Sequence, residues 1–108
     1  MKDILVQEDL EKIKSKLRGR AGRQFCYYHD LNGLPEGTKE GKKILFSDGE
    51  QVRGESILLD VKKGELRFEP LTPVQKPNPD SPPARGFKYV DAEDCGKYSI
   101  DFMGMEYS

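Results

Sequence analysis

A turn signal at Asp48-Gly49 does most to restrict what this chain can fold into. The dipeptide separates two apolar runs and favours a two-residue hairpin, because such turns need residues that accept positive φ. A second turn signal, with glycine at its end, follows at Lys62-Lys63-Gly64. Together the two turns predict a three-stranded antiparallel meander over about residues 43–69.

The middle strand of this meander changes phase along its length. Val52 lies on even numbering, whereas the apolar Ile57, Leu59 and Val61 lie on odd numbering. Side chains of a strand alternate between its two faces, so these two registers cannot continue directly into one another. Gly54 stands between them, and we predict a bulge or sharp bend there.

The first segment predicts an amphipathic helix over about residues 5–18. Four apolar residues are spaced by four, three and four positions and therefore share one stripe: Val6, Leu10, Ile13 and Leu17. Glu8 precedes Lys12 by four residues and is expected to pair with it. Acidic residues come early and basic residues late, an order that suits the helix dipole.

The predicted fold class is α+β, mainly β, in a single domain over residues 1–108. The N-terminal helix is expected to accompany a small antiparallel sheet or bent-strand barrel of about five to six strands. Residues 70–83 hold six of the seven prolines and are predicted to be an exposed loop, because proline donates no hydrogen bond to a sheet. The predicted strands cover residues 24–31, 43–47, 50–61, 65–69, 86–91 and 97–103.

Composition predicts a small soluble protein without a dominant electrostatic field. The chain has 108 residues and a formal net charge of -1. No leader and no membrane-spanning segment are expected from its sequence. Cys26 and Cys95 allow one disulfide, although reduced thiols in a cytoplasmic protein are the simpler interpretation.

No residue pattern predicts catalysis, a metal or a cofactor. His29 is the only histidine, and it lies three residues after Cys26, a spacing that directs side chains to opposite faces of a strand. Cys26, His29 and Cys95 supply at most three of the about four ligands that zinc requires. We therefore predict a non-enzymatic protein that holds no cofactor.

The most suggestive functional feature is a basic segment over residues 12–23. It contains six basic residues and no acidic one, and aromatic residues follow it directly. This combination suits contact with phosphates and stacking on bases, but solvated lysines on the polar face of a helix are the alternative. The candidate contacts with nucleic acid or another partner are Lys12, Lys16, Arg18, Arg20, Arg23, Tyr27, Tyr28 and Arg85.

One stretch resembles the first motif of Sm-like RNA-binding barrels. It runs from Lys42 to Asp60 through the Asp-Gly turn and the following glycine, and Ala84-Arg85-Gly86 is similar to the Arg-Gly of the second motif. The resemblance implies an N-terminal helix, five bent strands, a ring assembly and an RNA-binding loop near Asp60 and Arg85. The family's asparagine after the aspartate is absent, residues 24–41 separate the helix from the first barrel strand, and SH3-like barrels share these elements.

The sequence is compatible with two classes of function. The first is a non-enzymatic protein-binding or regulatory module, such as an accessory subunit or a phage-type inhibitor. The absence of catalytic patterns, the predicted helix, the proline-rich stretch and the acidic segment over residues 91–108 favour it. The alternative is a nucleic-acid-binding small β-barrel, Sm-like or SH3-like, that uses the basic segment. A membrane is not an expected partner.

Overall fold

The fold is that of a computed structural model, which describes residues 1–22, 24–29, 33–83 and 86–91. These residues form seven strands and one short helix, Leu10–Ser15 (α1). No helix within these ranges has the length and apolar character needed to cross a membrane. The strands are Asp3–Gln7 (β1), Cys26–Tyr28 (β2), Lys43–Ser47 (β3), Gln51–Lys62 (β4), Glu65–Phe68 (β5), Thr72–Pro77 (β6) and Lys88–Val90 (β7).

All seven strands belong to one open sheet. Its order is β2-β5-β4-β3-β1-β7, and β6 pairs with β4 beyond the end of β5. Strands β1 and β3 are parallel, whereas the other strand pairs are antiparallel. The prediction of a mainly β fold is therefore confirmed. The predicted antiparallel sheet or bent-strand barrel of about five to six strands is instead an open sheet that has seven strands among the described residues and one parallel pair.

The N-terminal helix predicted over residues 5–18 is not formed as such. Its first part belongs to strand β1, which β3 and β7 flank. An apolar cluster covers each face of this strand, so Ile4, Leu5 and Val6 are all buried. The helix α1 has only six residues, and Ile13 is its buried residue. A run of consecutive apolar residues is typical of a strand buried on both faces, and here it outweighed the helical spacing.

Strand β4 contains the predicted irregularity next to Gly54. Phe46 pairs with Gly54 and Ser47 pairs with Val52, so Arg53 is the extra residue of a bulge. A Cβ atom on Gly54 would lie 3.0 Å from Cδ1 of Leu71, which leaves little room for any larger residue. The predicted bulge is thus confirmed, and packing explains the glycine.

A second register shift occurs in β4 at Leu59, where the sequence pattern showed none. Leu58 pairs with Phe68 and Asp60 pairs with Arg67, so Leu59 has no direct partner in β5. Leu58 is consequently a core residue with 1% exposure, whereas Ile57 is 43% exposed. The expectation that Ile57 shares one apolar face with Leu59 and Val61 is therefore wrong at Ile57.

The proline-rich stretch 70–83 is not a loop throughout. Its residues Thr72–Pro77 form β6, which continues along the edge of β4 that β5 occupies. At the join, the Leu71 backbone accepts a hydrogen bond from Arg18 N (2.7 Å) and donates one to Lys16 O (2.8 Å). Prolines occur in such a strand where their missing N–H would not face the paired strand.

The outer predicted strands are shorter than expected or lie partly outside the described residues. The strand predicted over 24–31 is observed as β2, and the strand predicted over 86–91 is observed as β7. The strand predicted over 97–103 lies outside the described residues. The two middle predictions, 43–47 and 65–69, agree with β3 and β5 to within one residue.

Two apolar clusters lie on opposite faces of the sheet, because alternate residues of β1 and β3 contribute to each. The smaller cluster contains Leu5, Leu45, Val52 and Val90. The main cluster packs beneath α1, and its buried residues are Ile4, Val6, Ile13, Cys26, Tyr28, Ile44, Phe46, Leu58, Leu66, Phe68 and Leu71.

The carboxylate of Asp48 is expected to make stability sensitive to acid. It accepts hydrogen bonds from the N–H groups of Glu50 (2.9 Å) and Gln51 (3.1 Å) and from Nε of Arg53 (2.7 Å). Burial raises the pKa of Asp48, but the two backbone N–H groups and Arg53 outweigh it, so the net pKa lies below its ordinary value. Stability from a lowered pKa is present above the unfolded-state pKa and is lost as pH falls through the folded-state pKa.

We therefore expect Asp48→Asn to lower the free energy of unfolding at neutral pH and to weaken its decline below about pH 4. Urea unfolding across pH measures both effects. Asp9→Asn is the matched control, because the Asp9 side chain makes no capping hydrogen bond. Parallel pH profiles of the wild type and Asp48→Asn would contradict this assignment.

Candidate functional site

The lysines of the predicted basic segment are engaged in ion pairs. Lys12 and Lys16 approach the carboxylate of Glu8 at 4.0 and 3.8 Å, and Lys14 lies 3.8 Å from Glu11. The Lys16 side chain is also only 14% exposed. Lys12 and Lys14 therefore match the alternative interpretation of a solvated polar face, whereas Lys16 is largely buried in its ion pair with Glu8.

The arginines that follow α1 lie in a different environment. Arg18 and Arg20 are exposed, and neither forms an ion pair with another described residue. Arg18 lines a groove together with Glu55 and Glu69, so its surroundings are not uniformly basic. Two further candidates, residues 23 and 85, lie outside the described residues.

The two candidate tyrosines point to opposite sides of β2. Tyr28 lies in the main cluster with 3% exposure, and its hydroxyl donates a hydrogen bond to the carbonyl oxygen of Gly86 at 3.2 Å. Tyr27 lies on the outer face and is half-buried. A ligand on the surface can therefore reach Tyr27 but not Tyr28.

Three rings form a row along the outer side of β2. The Phe25 and Tyr27 ring centroids are 5.6 Å apart in an edge-to-face arrangement. The Tyr27 and His29 centroids are also 5.6 Å apart, and these two rings are nearly parallel at 16°. Phe25 is 36% exposed and His29 is more exposed still. We call Phe25, Tyr27, His29 and the adjacent Arg67 the aromatic row.

Arg67 joins this row from the neighbouring strand. It lies directly opposite Tyr27 in the β2–β5 register, and its guanidinium carbon is 5.3 Å from the Phe25 ring centroid. That distance is within the range of a cation–π interaction. The Nε atom of Arg67 is buried and has no hydrogen-bond partner among the described residues. A planar cation therefore lies against the aromatic rings.

Acidic groups limit the positive charge at the aromatic row. Glu65 lies 3.4 Å from Nδ1 of His29, and Asp60 pairs with Arg67 in the β4–β5 register. Asp60 also approaches Lys62 at 3.7 Å. A polyanion would gain little from long-range attraction here, so stacking on the rings must contribute most of any affinity for it.

Sequence reasoning found only part of this site. Strand alternation places Phe25, Tyr27 and His29 on one face of the predicted strand 24–31, so a signal for the three rings was available. Arg67 is different, because its position beside Tyr27 depends on the pairing of β2 with β5. No local pattern in the sequence reveals that pairing.

The two other predicted features, a metal-ligand cluster and a cysteine pair, are considered for the described part of the chain. No group of three His, Cys, Asp or Glu side chains is placed there to hold a metal ion. Cys26 is a buried free thiol, and residue 95 lies outside the described residues.

Comparison with known proteins does not assign the chain to a family. No family model, no curated protein and no solved structure matches the chain. The resemblance to Sm-like barrels stays a prediction from the sequence, and the N-terminal helix that it implies is replaced by β1 and the six-residue α1.

Proposed function

We propose that this protein is a non-enzymatic module that binds single-stranded nucleic acid on the aromatic row. The observation that carries the proposal is the row of three outward-facing rings, in which Tyr27 contacts both Phe25 and His29 and Arg67 lies against Phe25. Stacking tolerates any base, because every base has a π-face, and it contributes about 1–3 kcal/mol per base. A single strand is favoured over a duplex because only unpaired bases can turn outward to stack on side chains.

A protein partner, the other function predicted from the sequence, has less support from the described residues. The helix expected to supply its contact surface has six residues and buries Ile13. The proline-rich stretch, which also favoured a protein partner, is partly built into the sheet as β6. Aromatic and arginine side chains are nevertheless enriched in protein interfaces, so the binding experiment must distinguish the two kinds of partner.

The direct test is the binding of labelled oligouridine and oligothymidine of about 16 nucleotides, the upper end of the site size of small binding folds. Fluorescence anisotropy at low salt is expected to show saturable binding. Affinity is expected to fall with salt by a logarithmic slope of about 0.7 per phosphate contact, and the slope should be shallow because few cations face the ligand. An oligodeoxyuridine of the same length differs from oligouridine only in the 2′-hydroxyl, so the comparison of those two shows whether this group contributes.

Arg67→Gln is expected to weaken this binding by up to about tenfold, the loss of one partly desolvated cation–π or phosphate contact. Lys88→Gln is the matched control: it also removes one positive charge, but from β7 at the opposite end of the sheet. No binding at low salt, or equal affinities for the two variants, would refute the proposal. If the chain binds no oligonucleotide but retains a protein partner after nuclease treatment, the protein-binding function is favoured instead.

A further inference from the structure

We propose that protonation of His29 strengthens the binding of nucleic acid at the aromatic row, a form of regulation that rests on the proposed function. His29 is the only histidine in the chain. Histidine is the side chain whose charge ordinarily changes between about pH 5 and 8. A histidine that contacts the ligand therefore makes the affinity depend on pH in this range.

His29 lies at one end of the aromatic row, where a ligand can reach it. Its ring is nearly parallel to that of Tyr27, at an angle of 16° and a centroid distance of 5.6 Å. Tyr27 covers only one face of the imidazole, and the His29 side chain is 67% exposed. The imidazole therefore extends the stacking surface toward solvent, where a base can add to its open face.

The neighbouring carboxylate determines which ring nitrogen of His29 meets a ligand. Glu65 lies 3.4 Å from Nδ1, which leaves Nε2 for other partners. In a neutral imidazole one nitrogen donates and the other accepts, and a carboxylate next to Nδ1 favours the hydrogen on Nδ1. Nε2 is then an acceptor and repels a phosphate oxygen. After protonation both nitrogens donate, so Nε2 can bind that oxygen while Nδ1 keeps its contact with Glu65.

The other charged groups around His29 are paired with one another. Strand β5 pairs with β2, and β4 pairs with β5. These two strands contribute two carboxylates and two cations, and the β4–β5 register places Asp60 opposite Arg67 and Lys62 opposite Glu65. Asp30, which follows His29 in the chain, lies outside the described residues. Among the described groups each cation is thus matched by a carboxylate, so protonation of His29 adds a positive charge that none of them balances.

Protonation is expected to add one charge-assisted contact with a phosphate. The Kd for a single-stranded oligonucleotide should therefore fall about threefold to tenfold between about pH 8 and about pH 5.5. The salt dependence should become steeper by about 0.7 in its logarithmic slope, the value for one more phosphate contact on a single strand. Phosphodiesters stay ionised over this whole range, so the effect belongs to the protein and not to the ligand.

The test is an anisotropy titration of the whole chain with oligothymidine of about 16 nucleotides at both pH values. His29→Phe is the comparison variant, because it keeps an aromatic ring and removes the titrating group. Its Kd should agree with that of the wild type within about twofold at the higher pH and should not fall at the lower pH. Any pH effect of other groups appears in both proteins, so their difference isolates His29.

Calorimetry in buffers of different ionisation enthalpy gives a second measurement. If protonation strengthens binding, binding must in turn favour protonation, because the coupling between two ligands is reciprocal. The wild type should therefore take up protons when it binds oligothymidine between these pH values, and His29→Phe should not.

The inference and the proposed function fail in different ways. A Kd that is equal at both pH values, or a pH dependence that His29→Phe retains in full, would overturn the role of His29 and leave the aromatic row as a binding surface. The absence of saturable binding at both pH values would overturn the two proposals together. Binding that is detectable only at the lower pH, and only with His29 present, would support both.

Discussion

Replacing Phe25 and Tyr27 together with alanine is expected to reduce the affinity for a single-stranded oligonucleotide at least about 30-fold. Each stacked base contributes about 1–3 kcal/mol, and 1.4 kcal/mol is a factor of ten in affinity. The two rings are neighbours on the outer face, 5.6 Å apart, so the double variant removes two adjacent stacking surfaces. Anisotropy titrations at low salt measure the loss, and each single variant should show part of it.

The double variant is expected to remain folded. Phe25 and Tyr27 contribute nothing to the main cluster, which β2 reaches through Cys26 and Tyr28. A cross-strand pair such as Tyr27 with Arg67 contributes about 0.2–1 kcal/mol. The free energy of unfolding of a domain is usually about 5–15 kcal/mol, which is large enough to tolerate such a loss. Urea unfolding of the variant verifies this directly.

Tyr89→Ala is the matched control for the double variant. Tyr89 is also an exposed aromatic residue, with 40% exposure, but it belongs to β7 at the other end of the sheet. Its removal should leave oligonucleotide affinity unchanged. If Tyr89→Ala and the double variant weaken binding equally, the aromatic row is not the binding surface and its rings serve only to stabilise the sheet.

The meander was predictable because its signals are local. The Asp48-Gly49 turn and the turn ending at Gly64 each join strands that are adjacent in both sequence and space, and β3 has the predicted bounds. The bulge next to Gly54 was also predictable, because a change of phase in the apolar pattern requires an extra residue.

The N-terminal region was not predictable in the same way. The spacing of its apolar residues fits a helix, whereas the run Ile4, Leu5 and Val6 fits a buried strand, and the placement of β1 between β3 and β7 decides for the strand. Strand β6 is a similar case. Its prolines indicate a loop, and only its pairing with β4 shows that the segment is a strand. Both elements depend on partners that are distant in sequence.

The candidate site was likewise predictable where it depends on local sequence and not where it depends on strand pairing. Alternation within one strand places Tyr27 beside Phe25 and His29, and the helical spacing of Glu8 and Lys12 correctly predicts their ion pair. The position of Arg67 depends on the register of β5 against two other strands. A functional surface that spans several strands is therefore visible in the sequence only one strand at a time.

Leu58→Ala is expected to lower the free energy of unfolding by about 2–5 kcal/mol, the usual cost of truncating a fully buried leucine. Leu58 is 1% exposed and belongs to the main cluster, where the cavity left by its side chain could close only in part. The measurement is the urea midpoint at constant m-value, which reports stability without a change in the surface exposed on unfolding.

Ile57→Ala, the neighbouring substitution, is the control and should cost about 1 kcal/mol or less, because Ile57 is 43% exposed. The alternation of Ile57 with Leu59 and Val61 predicts the opposite ranking, so the pair of variants decides between two registers of β4. A larger loss of unfolding free energy for Ile57→Ala than for Leu58→Ala would contradict the register shift at Leu59. Because a slip of one residue reverses the faces of a strand, it would also call into question the register that places Arg67 beside Tyr27.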